Sequence, residues 1–346
     1  VRREPWLELP LLQPLQEAEA EFCEIFRDKQ KYMKPRSGDD VHKRIHAMNG
    51  AWPGPLGYFG MHGHYIENGK SWIGYDMIWH AVLPAVVAAL ERAWRDSGRS
   101  PPQLADGDMY LFGVAQGESM RKLHGYWPER RIFGFDSFVG LPEEDHASSR
   151  IDPWKSGKFR GRWNETRLTN TAGGSGIARV IKGFFNESLY PALVEKEHMR
   201  PAFYVDIDCD LHVSTIAALD FIFANGLARV GTLVAYDDWW TIPCHRFHTA
   251  RKRRGRASEP AIVSPLQVGE GLAHSEIAAK YGVVFRCLAG PCRPVADFAR
   301  CGLHNNWGPV FLVMALGAGR GEHGFNFTAE EEARWVQQMG ICPEVH

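Results

Sequence analysis

The sequence predicts an α/β fold: a doubly wound, mainly parallel seven-stranded sheet with helices on both faces, preceded by an N-terminal helical and loop extension. Three observations predict it. Beyond residue 101, short apolar runs alternate with helical or irregular stretches, the pattern of parallel strands joined by crossovers. Several of these runs end in glycine or in acid, and such sheets bind their ligands beyond the carboxyl ends of their strands. Residues 1–100 lack that alternation altogether.

Taken in order, residues 1–50 alternate acidic and basic groups around Leu and Phe, as an amphipathic helical lead-in does. Residues 51–74 are dominated by Gly, Pro, His and aromatics and read as a loop that packs on something. This stretch is the candidate lid or acceptor wall. In an extended segment His62 and His64 would face one side, although loop histidines without a site are the plainer reading. Asp76 to Trp94 reads as a mostly buried helix, with Asp76 as its N-cap and Pro84 as a kink. Residues 97–102 make a boundary. The expected organisation is thus an extension over 1–100, a sheet domain over 101–320 and a C-terminal helical tail over 321–346. Strands are expected at Met109–Val114, Arg131–Phe135, Ala178–Ile181, Ala202–Val205 and Thr232–Tyr236, with two more near Val283–Leu288 and Val310–Leu316.

The bulk composition narrows the class. A formal net charge of −1 provides no field to steer the chain toward nucleic acid or anionic membrane, so neither is expected as a partner. The single basic run, Arg251 to Arg256, is broken by a glycine and reads as an exposed loop. No apolar run of about 18 residues is present, so no helical membrane span is expected. Seven scattered cysteines suggest reduced thiols in a cytoplasmic protein. Cys287, Cys292 and Cys301 lack paired zinc-site spacing and read as loose core or loop thiols. The chain opens on Val1, as a processed or excised chain would.

Chemistry concentrates at the strand ends. After the first strand, Gly113 and Gly117 flank a tight turn, and a helix starting near Ser119 would point free amides at a ligand. Neither a Walker lysine nor a third dinucleotide glycine is present. Asp136, at the end of the second strand, lies 23 positions after Gly113, close to the offset of about 20 at which an acid meets a ribose. Capping its own turn is the plainer role for Asp136. Asp206, Asp208 and Asp210 follow the fourth strand, and Asp237 and Asp238 follow the fifth. If those strands are neighbours, their ends lie about 4.8 Å apart, and the acids crowd one spot. Crowded carboxylates must be protonated or neutralised by a cation, and all-oxygen ligation suits Mg²⁺ or another hard divalent ion. Helix capping before Ser214 would explain one or two of these acids, not five.

At this point a resemblance enters. The segments around Gly113 and Gly117, Gly134 to Pro142, Ile181 to Leu189, and Asp208 to Thr215 with Asp237-Asp238 resemble the macrocin O-methyltransferase family of class I methyltransferases. The resemblance covers about residues 108–238. It implies a seven-stranded methyltransferase sheet, S-adenosylmethionine as methyl donor and Mg²⁺ positioning an acceptor hydroxyl. Carried over by position, Gly113, Gly117 and Ser119 would line the methionine end, Asp136 would hold the ribose with Ser137 beside it, and Gly183 and Phe184 would lie near the adenine. Asp208, Asp237 and Asp238 would bind the metal, with Asp206 leaving the register open by two residues. The chain departs from the family at Leu111, where an acid is usual, and at His212, where an aromatic is usual.

The expected function is therefore methyl transfer from S-adenosylmethionine to a hydroxyl of a small molecule, by a possible homo-oligomer. Asp208 is the candidate proton acceptor, with His212, His245 and His304 as further candidates by type. Two other readings compete: a non-catalytic S-adenosylmethionine-binding module, and a metal-dependent hydrolase built on the acids.

Overall fold

The computed structural model describes residues 64–67, 70–73, 87–88, 90–91, 94–95, 106–143, 154–244, 263–290, 292 and 308–338. Strands β1 (His64–Glu67) and β2 (Lys70–Ile73) pair antiparallel, away from the main sheet. This corrects the expectation of a plain loop over 51–74. The sequence there holds aromatic and β-branched residues either side of Asn68-Gly69, a pair that favours two-residue hairpins. The helical reading of 76–94 has helical residues at 87–88, 90–91 and 94–95, with Val87, Leu90 and Trp94 buried. Asp76, Pro84, His62, the lead-in over 1–50 and the basic run 251–256 lie outside the described residues.

All seven predicted strands form one sheet: β3 (Asp108–Phe112), β4 (Ile132–Asp136), β5 (Ala178–Lys182), β6 (Ala202–Ile207), β7 (Leu233–Tyr236), β8 (Val284–Ala289) and β9 (Val310–Ala315). Their spatial order is β5-β4-β3-β6-β7-β9-β8. The first five strands pair parallel, and β9 runs antiparallel to both β7 and β8. Every residue of β3 and β6 is buried, whichever side it points to, so the sheet is covered on both faces. The helices include α1 (Glu118–Tyr126), α2 (Glu165–Thr171), α3 (Phe185–Ser188), α4 (Pro191–Lys196), α5 (His212–Ala224), α6 (Gly269–Tyr281) and α7 (Ala329–Gln338). The chain leaves β3 for β4 on one side and later returns to β6 on the other. That reversal opens a crevice at the carboxyl ends of β3 and β6.

A charge bolt closes the opposite end. Asp108, fully buried at the start of β3, accepts bonds from Arg131 Nε (3.0 Å) and Nη2 (2.6 Å) and from Arg200 N (2.8 Å), Nε (2.9 Å) and Nη2 (2.7 Å). Arg131 directly precedes β4 and Arg200 lies two residues before β6, so one carboxylate ties the amino ends of three adjacent strands. A buried charge is tolerable only when paired this fully.

The cysteine reading needs correction. Cys287, in β8, and Cys292 form a disulfide, their Cα atoms 5.9 Å apart. The turn at the end of β8 brings two cysteines of sequence separation 5 together, a proximity that spacing alone does not reveal. Cys244 is also disulfide-bonded, while Cys209 is a buried free thiol. No helix among the described residues is long and apolar enough to cross a membrane.

The bolt yields a prediction. Asp108→Ala leaves Arg131 and Arg200 facing a polar void; because both retain some access to water, the loss should fall near the low end of about 3–5 kcal/mol. Denaturant unfolding measures it, and a loss below about 0.5 kcal/mol, the level of an ordinary surface change, would refute the structural role.

Candidate functional site

The turn after β3 is built around Gly113. Its φ of 103° favours glycine, and a Cβ there would overlap the carbonyl of Asp208. The glycine turn and the acid turn therefore sit back to back, and the Asp208 amide donates to Phe112 O at 2.9 Å. Gly117, at φ 83°, caps α1. A Cβ on Gly117 would meet Leu168 and Thr171 of α2, so this glycine serves helix packing.

Asp136 performs more local work than a ribose contact. Its Oδ2 accepts the amides of Val114 (2.9 Å) and Ala115 (2.8 Å), and its Oδ1 accepts that of Phe138 (2.6 Å). Three of roughly four carboxylate lone pairs are thus committed to shaping the glycine turn and the carboxylate's own turn. Ser137 donates to Gly140 O at 2.8 Å and accepts from Val139 N at 3.2 Å, closing that second turn. The Gly183 amide is held by Asp136 O at 3.0 Å.

The acids converge as the strand adjacency requires. Ile207 and Tyr236 are partners in parallel register, and the Asp237 amide donates to Ile207 O at 2.9 Å. One carboxylate oxygen each from Asp208, Asp237 and Asp238 lie within 4.8 Å of one another. Asp206 stays inside β6, buried, with its Oδ1 3.4 Å from Tyr204 Oη, so the register falls on Asp208. Behind Asp237-Asp238, Trp239 and Trp240 are buried and anchor the turn: Trp239 packs on Tyr236, His274, Phe311 and Phe325, and Trp240 on Phe325 and Phe327.

Both halves share one cavity of about 640 Å³. Gly113, Ala115, Asp136, Ser137, Gly183 and Phe184 line one part, and Asp208, Asp210, Asp237 and Asp238 another. Gly117 and Ser119, expected there, do not line it. His212 does not line it either: its Nε2 lies 2.8 Å from Glu276 Oε2, which directs the ring to α6. His245 and His304 fall outside the described residues. The β1 strand places His64 in extended backbone.

The sequence reading missed a strap over this cleft, residues 154–163. Leu141 and the strap exchange backbone bonds, Leu141 N to Lys158 O and Gly157 N to Leu141 O, both 2.9 Å. A Cβ on Gly161 would stand 2.9 Å from Ala115 O and 2.8 Å from the Phe138 ring, so the strap backbone lies directly on the glycine turn. Trp163 stacks obliquely on Phe138 at 4.9 Å, with Lys182 Nζ 5.4 Å from its ring centre. At the other end the Trp154 indole donates to Asp210 Oδ1 at 2.9 Å. Trp154 packs with Leu141, Leu211, Ile242 and Val268 in a small separate core. A lone tryptophan in a polar stretch gives no periodic signal, which is why the strap was not legible.

Among the described residues, the only charged side chains lining the cleft are acidic. No Lys, Arg or His is among the described residues lining it. Withdrawal from water, then Asp237, Asp238, Asp206 and Asp210, push the Asp208 carboxyl well above its ordinary range. Burial and Asp238 do the same to Asp210, against the opposing bond from Trp154. Such a set fits a hard divalent cation, because one carboxylate oxygen each from three acids converges within 4.8 Å and crowds like charge at one point.

No protein-family model matches the sequence, and no curated protein matches it. Among solved structures it is similar to the calicheamicin methyltransferase CalS11, at 18% identity and TM-score 0.42 over 82% of this chain and 95% of that one. It is also similar to an O-methyltransferase family protein from Burkholderia thailandensis, at 11% identity and TM-score 0.29 over 71% of this chain and 61% of that one. A third is the MycE methyltransferase of the mycinamycin biosynthetic pathway, solved with Mg, SAH and mycinamycin VI. That likeness has 14% identity and TM-score 0.26, over 76% of this chain and 59% of the other.

Two predictions follow from the geometry. Asp136→Ala should destabilise the ligand-free protein by about 1–3 kcal/mol, because backbone amides lose their acceptor. A residue that served only a ribose would leave ligand-free unfolding unchanged. Second, carboxyls with raised folded-state pKa values bind more protons when folded, so their contribution is present at acid pH and fades as pH rises. The cation-free protein should therefore lose stability above the ordinary carboxylate range of about 4, and excess Mg²⁺ should recover more at pH 8 than at pH 6. Thermal unfolding with and without Mg²⁺ at both pH values tests this; equal recovery at each would contradict it.

Proposed function

We propose that this chain transfers a methyl group from S-adenosylmethionine to a hydroxyl of a small molecule, with a divalent cation held by Asp208, Asp237 and Asp238. One observation carries the reading: a single cavity is lined both by the turns after β3, β4 and β5 and by the carboxylates after β6 and β7. The first group suits a nucleoside with a polar tail, and the second a hydroxyl that must be activated.

Each half has a defined job in this proposal. Gly113 brings bare backbone to the cofactor's methionine end. Asp136 shapes the turn and keeps about one lone pair for the ribose. Gly183 and Phe184, which line the same cavity, would flank the adenine. The sulfonium methyl needs no further activation, so the protein's task is to hold an acceptor oxygen in line with the breaking C–S bond. Held by Asp208, Asp237 and Asp238, a Mg²⁺ ion would supply the positive charge that lowers the pKa of an acceptor hydroxyl. Asp208 then takes the hydroxyl proton on a carboxylate oxygen. No lining imidazole competes for that role among the described residues, which is why the reading favours Asp208 over His212. The strap covers the glycine turn and would exclude water from the nucleoside side.

S-adenosylhomocysteine should bind with micromolar affinity or better by calorimetry, and Asp136→Ala should weaken it by about 1–3 kcal/mol. Absence of heat at millimolar ligand sinks the methyltransferase reading. With an acceptor in hand, a chelator and Asp208→Asn should each suppress turnover while leaving S-adenosylhomocysteine binding intact. Turnover that survives chelation would remove the cation from the proposal, and binding without turnover over a wide hydroxyl panel would favour the non-catalytic module.

A further inference from the structure

We infer that Glu270 is a positioning residue of the acid cluster, holding the Asp237–Asp238 turn so that both carboxylates meet Asp208 around one cation. The inference rests on the metal-assisted reading above and deepens it. Glu270 lies in the first turn of α6, 1% exposed, and does not line the cavity. It therefore acts only through another group. That group is the Asp238 amide, which donates to Glu270 Oε2 at 3.0 Å. The other oxygen, Oε1, is buried with no hydrogen-bond partner.

An acid in this place is expensive. An apolar side chain would fill the space without that cost, so the observed carboxyl points to a requirement for its acceptor oxygen. The flanking residues favour close seating. Gly269, at φ 54°, faces Ile242 Cδ1 and Asp210 O, where a Cβ would stand 3.0 Å and 3.6 Å away. A Cβ on Gly271 would overlap the Pro265 carbonyl. Gly269 thus seats the start of α6 beside the Asp210 turn, and Gly271 lets the same helix start close on Pro265, with Glu270 between them.

The helix itself is clamped to the same strand that carries the acids. His274 is fully buried; its Nδ1 accepts the Tyr236 hydroxyl at 2.6 Å and its Nε2 donates to His323 O at 2.8 Å. A carbonyl only accepts, which makes Nε2 the donor; burial lowers the ring pKa to about 3, so the neutral ring leaves Nδ1 to accept. Tyr236 immediately precedes Asp237-Asp238. The Asp237 amide is held by Ile207 of β6, and the Asp238 amide by Glu270 of α6. Two separate elements thus fix the two consecutive candidate ligands.

The experiment is Mn²⁺ titration of the full chain, without acceptor, followed by electron paramagnetic resonance, on wild type, Glu270→Gln and Glu270→Leu. The Gln amide oxygen keeps an acceptor for Asp238, so Glu270→Gln should bind Mn²⁺ as wild type does and give the same bound-ion spectrum. Glu270→Leu removes the acceptor and should weaken Mn²⁺ by about 10–100-fold, the range for loss of a group that orients a ligand. Wild-type affinity in Glu270→Leu overturns the inference. So does a Gln variant as weak as the Leu variant, because the charge rather than the acceptor would then matter. Should circular dichroism show Glu270→Leu unfolded, the Gln spectrum decides: unchanged splitting supports positioning, altered splitting overturns it. A wild-type chain that binds no Mn²⁺ brings down the metal reading itself, and the inference with it, before any substitution is compared.

Discussion

The contact between Gly113 and the Asp208 carbonyl is the constraint on which the site depends. No side chain fits between them, and β3 and β6 run parallel with Phe112 beside Ile207. The turn suited to a nucleoside and the turn that starts the acid cluster are therefore locked together by backbone. The Asp208 amide bonding to Phe112 O fixes their separation. Proximity of cofactor and acceptor would then be a property of the sheet, present before any ligand arrives.

The two ends of that sheet treat charge in opposite ways. At the amino ends, Asp108 is saturated by Arg131 and Arg200, and the charge contributes to holding three strands in order. At the carboxyl ends, Asp208, Asp210, Asp237 and Asp238 face one cavity with no lining base among the described residues. Crowding four carboxylates at one rim costs free energy that a sheet optimised only for stability would avoid. Local electrostatic strain of this kind persists where the surrounding fold over-determines it. The surrounding fold does so here through Trp239 and Trp240 beneath the turn, Trp154 on Asp210 and Glu270 on the Asp238 amide.

The strands and the acid clusters were legible because each is a local pattern. Met109–Val114 and Ala202–Val205 are apolar runs with a chemically distinct residue at the end, and both form strands within a few residues of the expected bounds. The strand pair at 64–73 was missed: Asn68-Gly69 is a hairpin signal, but its glycine- and proline-rich surroundings read as loop. His212 stood out as an unusual residue beside the acids, yet helix geometry turns it to Glu276. Cys287 and Cys292 lacked a recognisable spacing, and a turn at the end of β8 joined them. Trp154 and Glu270 carried no pattern at all.

By itself the sequence determined the alternation of strands and crossovers, the glycine turn, the acid at the end of β4 and the five acids clustered at the carboxyl ends of β6 and β7. These follow from side-chain period and from the residue types that turns require, which are short-range physics. Only the tertiary structure decided that Asp208 rather than Asp206 joins Asp237 and Asp238, that Asp136 spends most of its lone pairs on backbone, and that a strap lies over the cleft. Those outcomes depend on groups far apart in the chain, such as Trp154 on Asp210 and Glu270 on Asp238, and on where parallel neighbours place their ends. The direction of a carboxylate is set by what packs around it, and that packing exists only once the sheet has closed.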